Sequence, residues 1–138
     1  MKKHYFAVID TNILVAALLS KKTDTAVVRV FDKIIDGEII PLYSEAVLKE
    51  YREVLLRRKF RFNTETVESL LDFIAKSGSC MYPKKSGIVL PDKKDVPFYE
   101  IVLDKKEDGA YLITGNKKHF PDSPIVFTAR EFLDSIEA

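Results

Sequence analysis

The run Phe6-Ala7-Val8-Ile9 is apolar without interruption and stops at Asp10, and behind it Ile13, Leu14, Ala16, Ala17 and Leu18 take helical spacing. A run without polar alternation fits a strand buried on both faces, the kind found in parallel sheets covered by helices. A buried strand that ends on a carboxylate places that acid at the carboxyl edge of the sheet, where open α/β folds bind their ligands. Three later segments repeat the theme: Glu50 inside a helical pattern, Asp95 at a helix start, and Thr114-Gly115-Asn116 after the apolar Tyr111-Leu112-Ile113. Oxygen donors gathered at strand and helix ends suit a hard cation.

The rest of the chain alternates in the same way. A strand is expected from His4 to Ile9, followed by a helix capped by Asp10 or Thr11. Thr23-Asp24 is expected to cap a second helix, with Val27, Val28, Val30, Phe31, Ile34 and Ile35 apolar and Gly37 as its stop. Ile39-Ile40-Pro41-Leu42 reads as a short strand near a sheet edge, because proline cannot donate to a ladder. Ser44 opens a helix to about Leu56, and Asn63 or Thr64 opens another that ends near Gly78. Cys80 to Leu90 reads as irregular, with a surface turn at Lys84-Lys85-Ser86-Gly87. Asp95-Val96-Pro97 starts a helix to about Lys106, since proline suits a first turn. Ala110 to Thr114 and Ile125 to Phe127 complete the strands, and Thr128 caps a terminal helix. This alternation predicts an α/β fold with a mainly parallel central sheet sandwiched by helices.

Length and composition set the remaining bounds. The 138 residues, 46% of them hydrophobic, suit one domain spanning 1–138 with a real core. With 22 basic against 21 acidic residues the net charge is +1, so attraction to nucleic acid must come from local clusters. Cys80 is the only cysteine, so no internal disulfide forms; with no zinc-like Cys/His spacing, a cytoplasmic location is expected. Met1-Lys2-Lys3-His4 leads into an apolar stretch cut at Asp10, too early for a signal-peptide core, and no run is long enough to span a bilayer.

Each acid has a plainer reading beside the functional one. Asp10 and Asp95 both stand where helix caps stand, although a carboxylate has lone pairs enough to cap and to ligate. Asp92 competes with Asp95 from a few residues upstream. Glu50 falls on the flank of the stripe Val47, Leu48, Tyr51, Val54 and Leu55, whereas Glu45 and Glu53 point away; a charge run on a helix is usually a solvated face. Asp104 is expected to face solvent, Asp108 to lie in a turn, and the Thr-Gly pair at 114–115 also fits a plain strand-to-turn step. Thr11 and Asn12 offer short polar side chains suited to hold a ligating carboxylate. Converging carboxylates need a compensating cation, and such an ion can activate water and neutralise phosphate charge, which is the equipment of a phosphodiester hydrolase.

In this order and at these distances the motifs resemble the PIN domain family, in particular its VapC-like branch, the ribonuclease toxins of bacterial toxin–antitoxin pairs. The first strand ends in Asp10-Thr11-Asn12, a middle helix carries Glu50, Asp95 opens the helix before the next strand, and Asn116 follows a Thr-Gly turn; the resemblance covers nearly the whole length. Many members carry aspartate where this chain has Asn116, which leaves three formal charges instead of four. The resemblance implies a three-layer α/β/α sandwich and Mg²⁺ or Mn²⁺ held by Asp10, Glu50 and Asp95. It also implies hydrolysis of single-stranded RNA with Asn116 as the fourth site residue, and Thr11, Asn12 and Thr114 positioning the ion's waters or the phosphate. A cognate antitoxin protein and a homodimer formed through the N-terminal helices are further implications.

Two basic segments are candidates for substrate contact. Arg57-Arg58-Lys59 with Phe60-Arg61-Phe62 interleaves cations and aromatics, a pattern that contacts phosphates and stacks bases, although a helix C-terminus favours basic residues anyway and the phenylalanines also suit a core. Lys117, Lys118 and His119 follow Asn116; His119 can serve as a proton donor, while a lone loop histidine is more often solvated. The alternative is a non-catalytic PIN-like module binding RNA or protein. A receiver-type signalling domain fits poorly, because the first strand offers one acid rather than a pair and the Ile39 to Tyr43 strand runs into Ser44.

Overall fold

The computed structural model describes residues 3–137; Met1, Lys2 and Ala138, and with them the first residues of the segment read for targeting, lie outside the described residues. Five strands, Tyr5–Ile9 (β1), Ile39–Tyr43 (β2), Ser79–Cys80 (β3), Tyr111–Ile113 (β4) and Val126–Phe127 (β5), form one sheet in the order β3-β2-β1-β4-β5. All four pairings are parallel, with Ala7 opposite both Pro41 and Tyr111. β1 is central, and Ala7, Val8 and Ile9 are buried as an uninterrupted apolar run requires. From β1 the chain winds first to β2 and β3 and later to β4 and β5. The carboxyl ends of β1 and β4 therefore flank the point where strand order reverses, where such sheets open a crevice.

Six helices cover the sheet: Thr11–Leu19 (α1), Ala26–Ile35 (α2), Glu45–Leu55 (α3), Thr64–Ser77 (α4), Val96–Lys105 (α5) and Ala129–Glu137 (α6). α2 packs on α6, while α3 packs on α4 and α5, and α5 lies on β1, β2 and β4; together they make the expected α/β/α sandwich. Among the described residues no helix is long and apolar enough to cross a membrane. Ser44 accepts a hydrogen bond from Val47 N, Asn63 from Glu65 N and Thr66 N, and Thr128 and Glu131 cap each other reciprocally.

Three local expectations are corrected. The cap of α2 is Thr25, whose hydroxyl accepts from Val28 N, rather than Thr23-Asp24; the helix starts one turn position later than its acidic neighbour suggested. Ser79–Cys80 is a strand, too short to leave any periodic signal. β2 is consequently interior to the sheet despite Pro41. β3 pairs only with Leu42 and Tyr43, so the proline lies beyond the paired stretch on that side. Gly78, read as a helix stop, also meets a packing need: a Cβ there would lie 2.4 Å from the Pro41 carbonyl oxygen.

Candidate active site

The ends of β1 and β4 are tied together by side chains. Thr114 follows β4, is buried, and donates its hydroxyl to Asp10 Oδ2 at 2.7 Å. Asn12 Nδ2 donates to the same oxygen at 3.3 Å, while Asn12 Oδ1 accepts from Gly115 N at 3.0 Å. Asp10 occupies the N-cap position of α1 but makes no side-chain capping bond. Its carboxylate is held by neighbours chosen along the sheet edge instead. α3 is fixed to the same place from the other side, because the fully buried Tyr51 donates its hydroxyl to the Ile9 carbonyl. That bond sets Glu50, one residue earlier, beside the Asp10 end of β1.

Asp95 arrives by a different route. Asp92 caps a 3-10 turn, Lys93–Asp95, by accepting from Lys94 N at 2.9 Å, and α5 follows; Asp95 itself makes no capping bond and is free to face elsewhere. Its carboxylate meets His119 Nδ1 at 3.0 Å. His119 ends another 3-10 turn, Lys117–His119, that the chain makes after Asn116.

These segments converge on one cleft of about 330 Å³ lined by Asp10, Thr11, Asn12, Glu50, Asp95 and Asn116, together with Val15, Val54, Arg57, Phe60, Asp92, Lys94 and His119. The four separated motifs of the sequence thus share one cavity. Thr114 lies beneath Asp10 and does not line it. Arg58 and Lys118 are exposed outside the lining, and Lys117 is turned to Glu131 in an ion pair at 3.1 Å. Asp92, read as the competitor of Asp95, and Phe60, read with the basic segment, both line the cleft, and Lys94 is a lining residue that the sequence did not single out. Asp92 and Asp95 do not exclude each other: residues three apart eclipse in a 3-10 turn, so both present their carboxylates together.

The charges in the cleft are uncomfortable without a cation. Burial pushes the Asp10 carboxyl up to about 6, against the opposing hydrogen bond from Thr114 and with the Asp95 charge adding to the rise. Asp95 is raised by its own burial and by Asp92, with His119 pulling the other way. Glu50 is raised by burial, partly offset by Lys94 and Arg57. Ligand atoms of Asp92, Asp95 and His119 lie within 4.8 Å of one another, close enough to share an ion. Thr11 Oγ1 is the one buried side-chain polar atom among the described residues without a hydrogen-bond partner, and Thr11 lines the same cleft. An orphaned hydroxyl beside repelling carboxylates fits a site completed by a divalent ion and its waters.

A five-stranded parallel sheet in an α/β/α sandwich, with an acidic cleft at its switch point, defines an α/β fold with a candidate site for a divalent ion. The model of the PIN domain family matches residues 7–118, and the chain belongs to that family. No curated protein and no solved structure matches the chain.

Proposed function

We propose that this protein is a divalent-metal-dependent endoribonuclease that hydrolyses single-stranded RNA, acting as the toxin of a toxin–antitoxin pair. The observation that carries the reading is the convergence of Asp10, Glu50, Asp95 and Asn116 on one cleft, where burial and mutual repulsion raise the carboxyl pKa values. Asp10, Glu50 and Asp95, which line the same cleft, are assigned to hold Mg²⁺ or Mn²⁺, and Asp92 and His119 are close enough to Asp95 to add donors there. A bound ion of this kind lowers the pKa of water and neutralises charge on phosphate oxygens.

The chain's own residues do the rest. Thr114 and Asn12 fix the Asp10 carboxylate by donating to its Oδ2. Arg57 and Lys94, on the cleft wall, draw a phosphodiester toward the acids and offset the carboxylate field. Thr11 and Asn116 line the cleft as uncharged polar groups suited to orient water or a phosphate oxygen. Attack of water oxygen on phosphorus breaks one P–O bond to ribose and leaves a phosphomonoester and a hydroxyl, with no covalent intermediate. The reading includes an antitoxin that covers the acidic cleft, a cytoplasmic location and a homodimer. The exposed Leu19 of α1 and Ile35 of α2 offer apolar surface to a second copy.

The test is cleavage of a mixed single-stranded RNA pool in Mn²⁺ or Mg²⁺, with chelator and with Asp10→Asn as controls. Cleavage abolished by both controls supports the reading. Folded protein that leaves every RNA intact under every metal supports a binding module, with the missing charge at Asn116 as its origin.

A further inference from the structure

We propose that Phe60 is a stacking platform for an unpaired nucleobase, placed where a single-stranded nucleic acid enters the acidic cleft. The proposal rests on the nuclease reading and adds to it a site that reads the base rather than the backbone. Phe60 lines the cleft together with Arg57, yet it stands outside the hydrophobic core. Phe62, by contrast, packs against that core and stacks on Phe60, with ring centroids 5.5 Å apart and planes inclined by 14°. One ring is therefore an anchor, and the other is a half-exposed face held in fixed orientation beside the acids.

The backbone is bent to make this pair. Arg61, between the two rings, has φ 57°, the only non-glycine residue in the left-handed region among those described. Arg61 closes the 3-10 turn Arg58–Phe60 in this conformation, and the turn carries Phe60 to the cleft wall while Phe62 beyond it reaches the core. A strained residue maintained next to a cleft is a common mark of a positioned functional element. The surrounding charge suits a polyanion: Arg57, Arg58, Lys59 and Arg61 are exposed, and among the described residues none forms an ion pair. Lys59 Nζ lies over the Phe60 ring, 5.1 Å from its centroid, so a base that stacks on Phe60 displaces this exposed side chain toward the neighbouring phosphate. A duplex keeps its bases stacked inside and cannot use such a platform, which makes Phe60 a selector for unpaired strands.

The experiment measures fluorescence anisotropy of labelled decamers in the Asp10→Asn background, where cleavage does not compete. The probes are oligoadenylate RNA and an abasic strand of equal length and charge. Oligoadenylate is expected to bind more tightly than the abasic strand. Phe60→Ala is expected to weaken oligoadenylate roughly five- to hundredfold and to leave the abasic strand unchanged, with Phe60→Trp restoring affinity and Phe60→Leu failing to do so. Equal affinity of Phe60→Ala and its parent for oligoadenylate, or equal losses on both strands, overturns the platform while the cleavage assay still decides the nuclease. A parent protein that binds neither strand overturns both.

Discussion

The Tyr51 hydroxyl donates to the Ile9 carbonyl across the core, joining α3 to the last residue of β1 immediately before Asp10. Tyr51 and Ile9 are both buried to within about 1% of full enclosure, so no water can replace that bond. Tyr51→Phe is expected to cost about 1–3 kcal/mol, the penalty of an unsatisfied buried carbonyl, and to loosen Glu50 relative to Asp10. Denaturant unfolding with parallel cleavage rates checks both parts. An unchanged midpoint would show that the bond does not fix the helix.

The acidic cleft makes the metal-free protein sensitive to pH in a definite direction. The Asp10 carboxyl has an ordinary value of 3.8 and is pushed up to about 6 in the fold. The folded state therefore holds this proton more tightly than the unfolded chain. Its contribution is complete below 3.8 and is lost as pH rises through 6, leaving a deficit of about 3 kcal/mol at neutral pH. In chelator, melting temperature should fall between pH 4 and 7, and Asp10→Asn should flatten that slope and be the more stable protein at pH 7. Mn²⁺ should restore the wild type and not the variant. A wild type whose melting point climbs over this range in chelator would count against the burial argument.

On the proposed metal site, His119 is expected to set a preference among metals. One of its ring nitrogens lies within 4.8 Å of carboxylate oxygens of Asp92 and Asp95, and an imidazole donor suits Mn²⁺ better than Mg²⁺. Cleavage should be faster in Mn²⁺ than in Mg²⁺, and His119→Ala should lose roughly tenfold or more in Mn²⁺ while changing less in Mg²⁺. Equal losses in the two metals would assign His119 to orienting Asp95 and not to the ion.

Far from the cleft, Gly78 offers a test of the fold itself. A Cβ at this position would approach the Pro41 carbonyl oxygen to 2.4 Å and that of Ile74 to 2.7 Å, both backbone atoms that cannot swing aside. Gly78→Ala should therefore destabilise by about 1–3 kcal/mol and weaken the short β3 pairing. Thermal melting gives the magnitude, and faster amide exchange at Met81, whose N bonds to the Tyr43 carbonyl, gives the location.

Strong periodic signals carried most of the architecture. The apolar run before Asp10 announced a central parallel strand, and the caps at Ser44, Asn63 and Thr128 were readable because each is a local side-chain bond. β3 was not readable, since two residues contain no period, and the proline argument about an edge failed with it. At the site, Asp10, Glu50, Asp95 and Asn116 stood out because each breaks or flanks an apolar pattern. Lys94 did not, because its place on the cleft wall depends on how a 3-10 turn aims it, which leaves no spacing signature; Phe60 was legible only as part of a basic-aromatic segment, not as a residue of the cleft wall.

The sheet order has a consequence for the timing of synthesis. β1 is made well before one of its two neighbours, β4, which is complete only at residue 113. Until then the central strand has a partner on one side alone, and Asp10 lacks the hydroxyl of Thr114. The cleft can therefore form only after residue 114 has emerged, so the segments that carry Asp10, Glu50 and Asp95 are all made before the site that gathers them is closed.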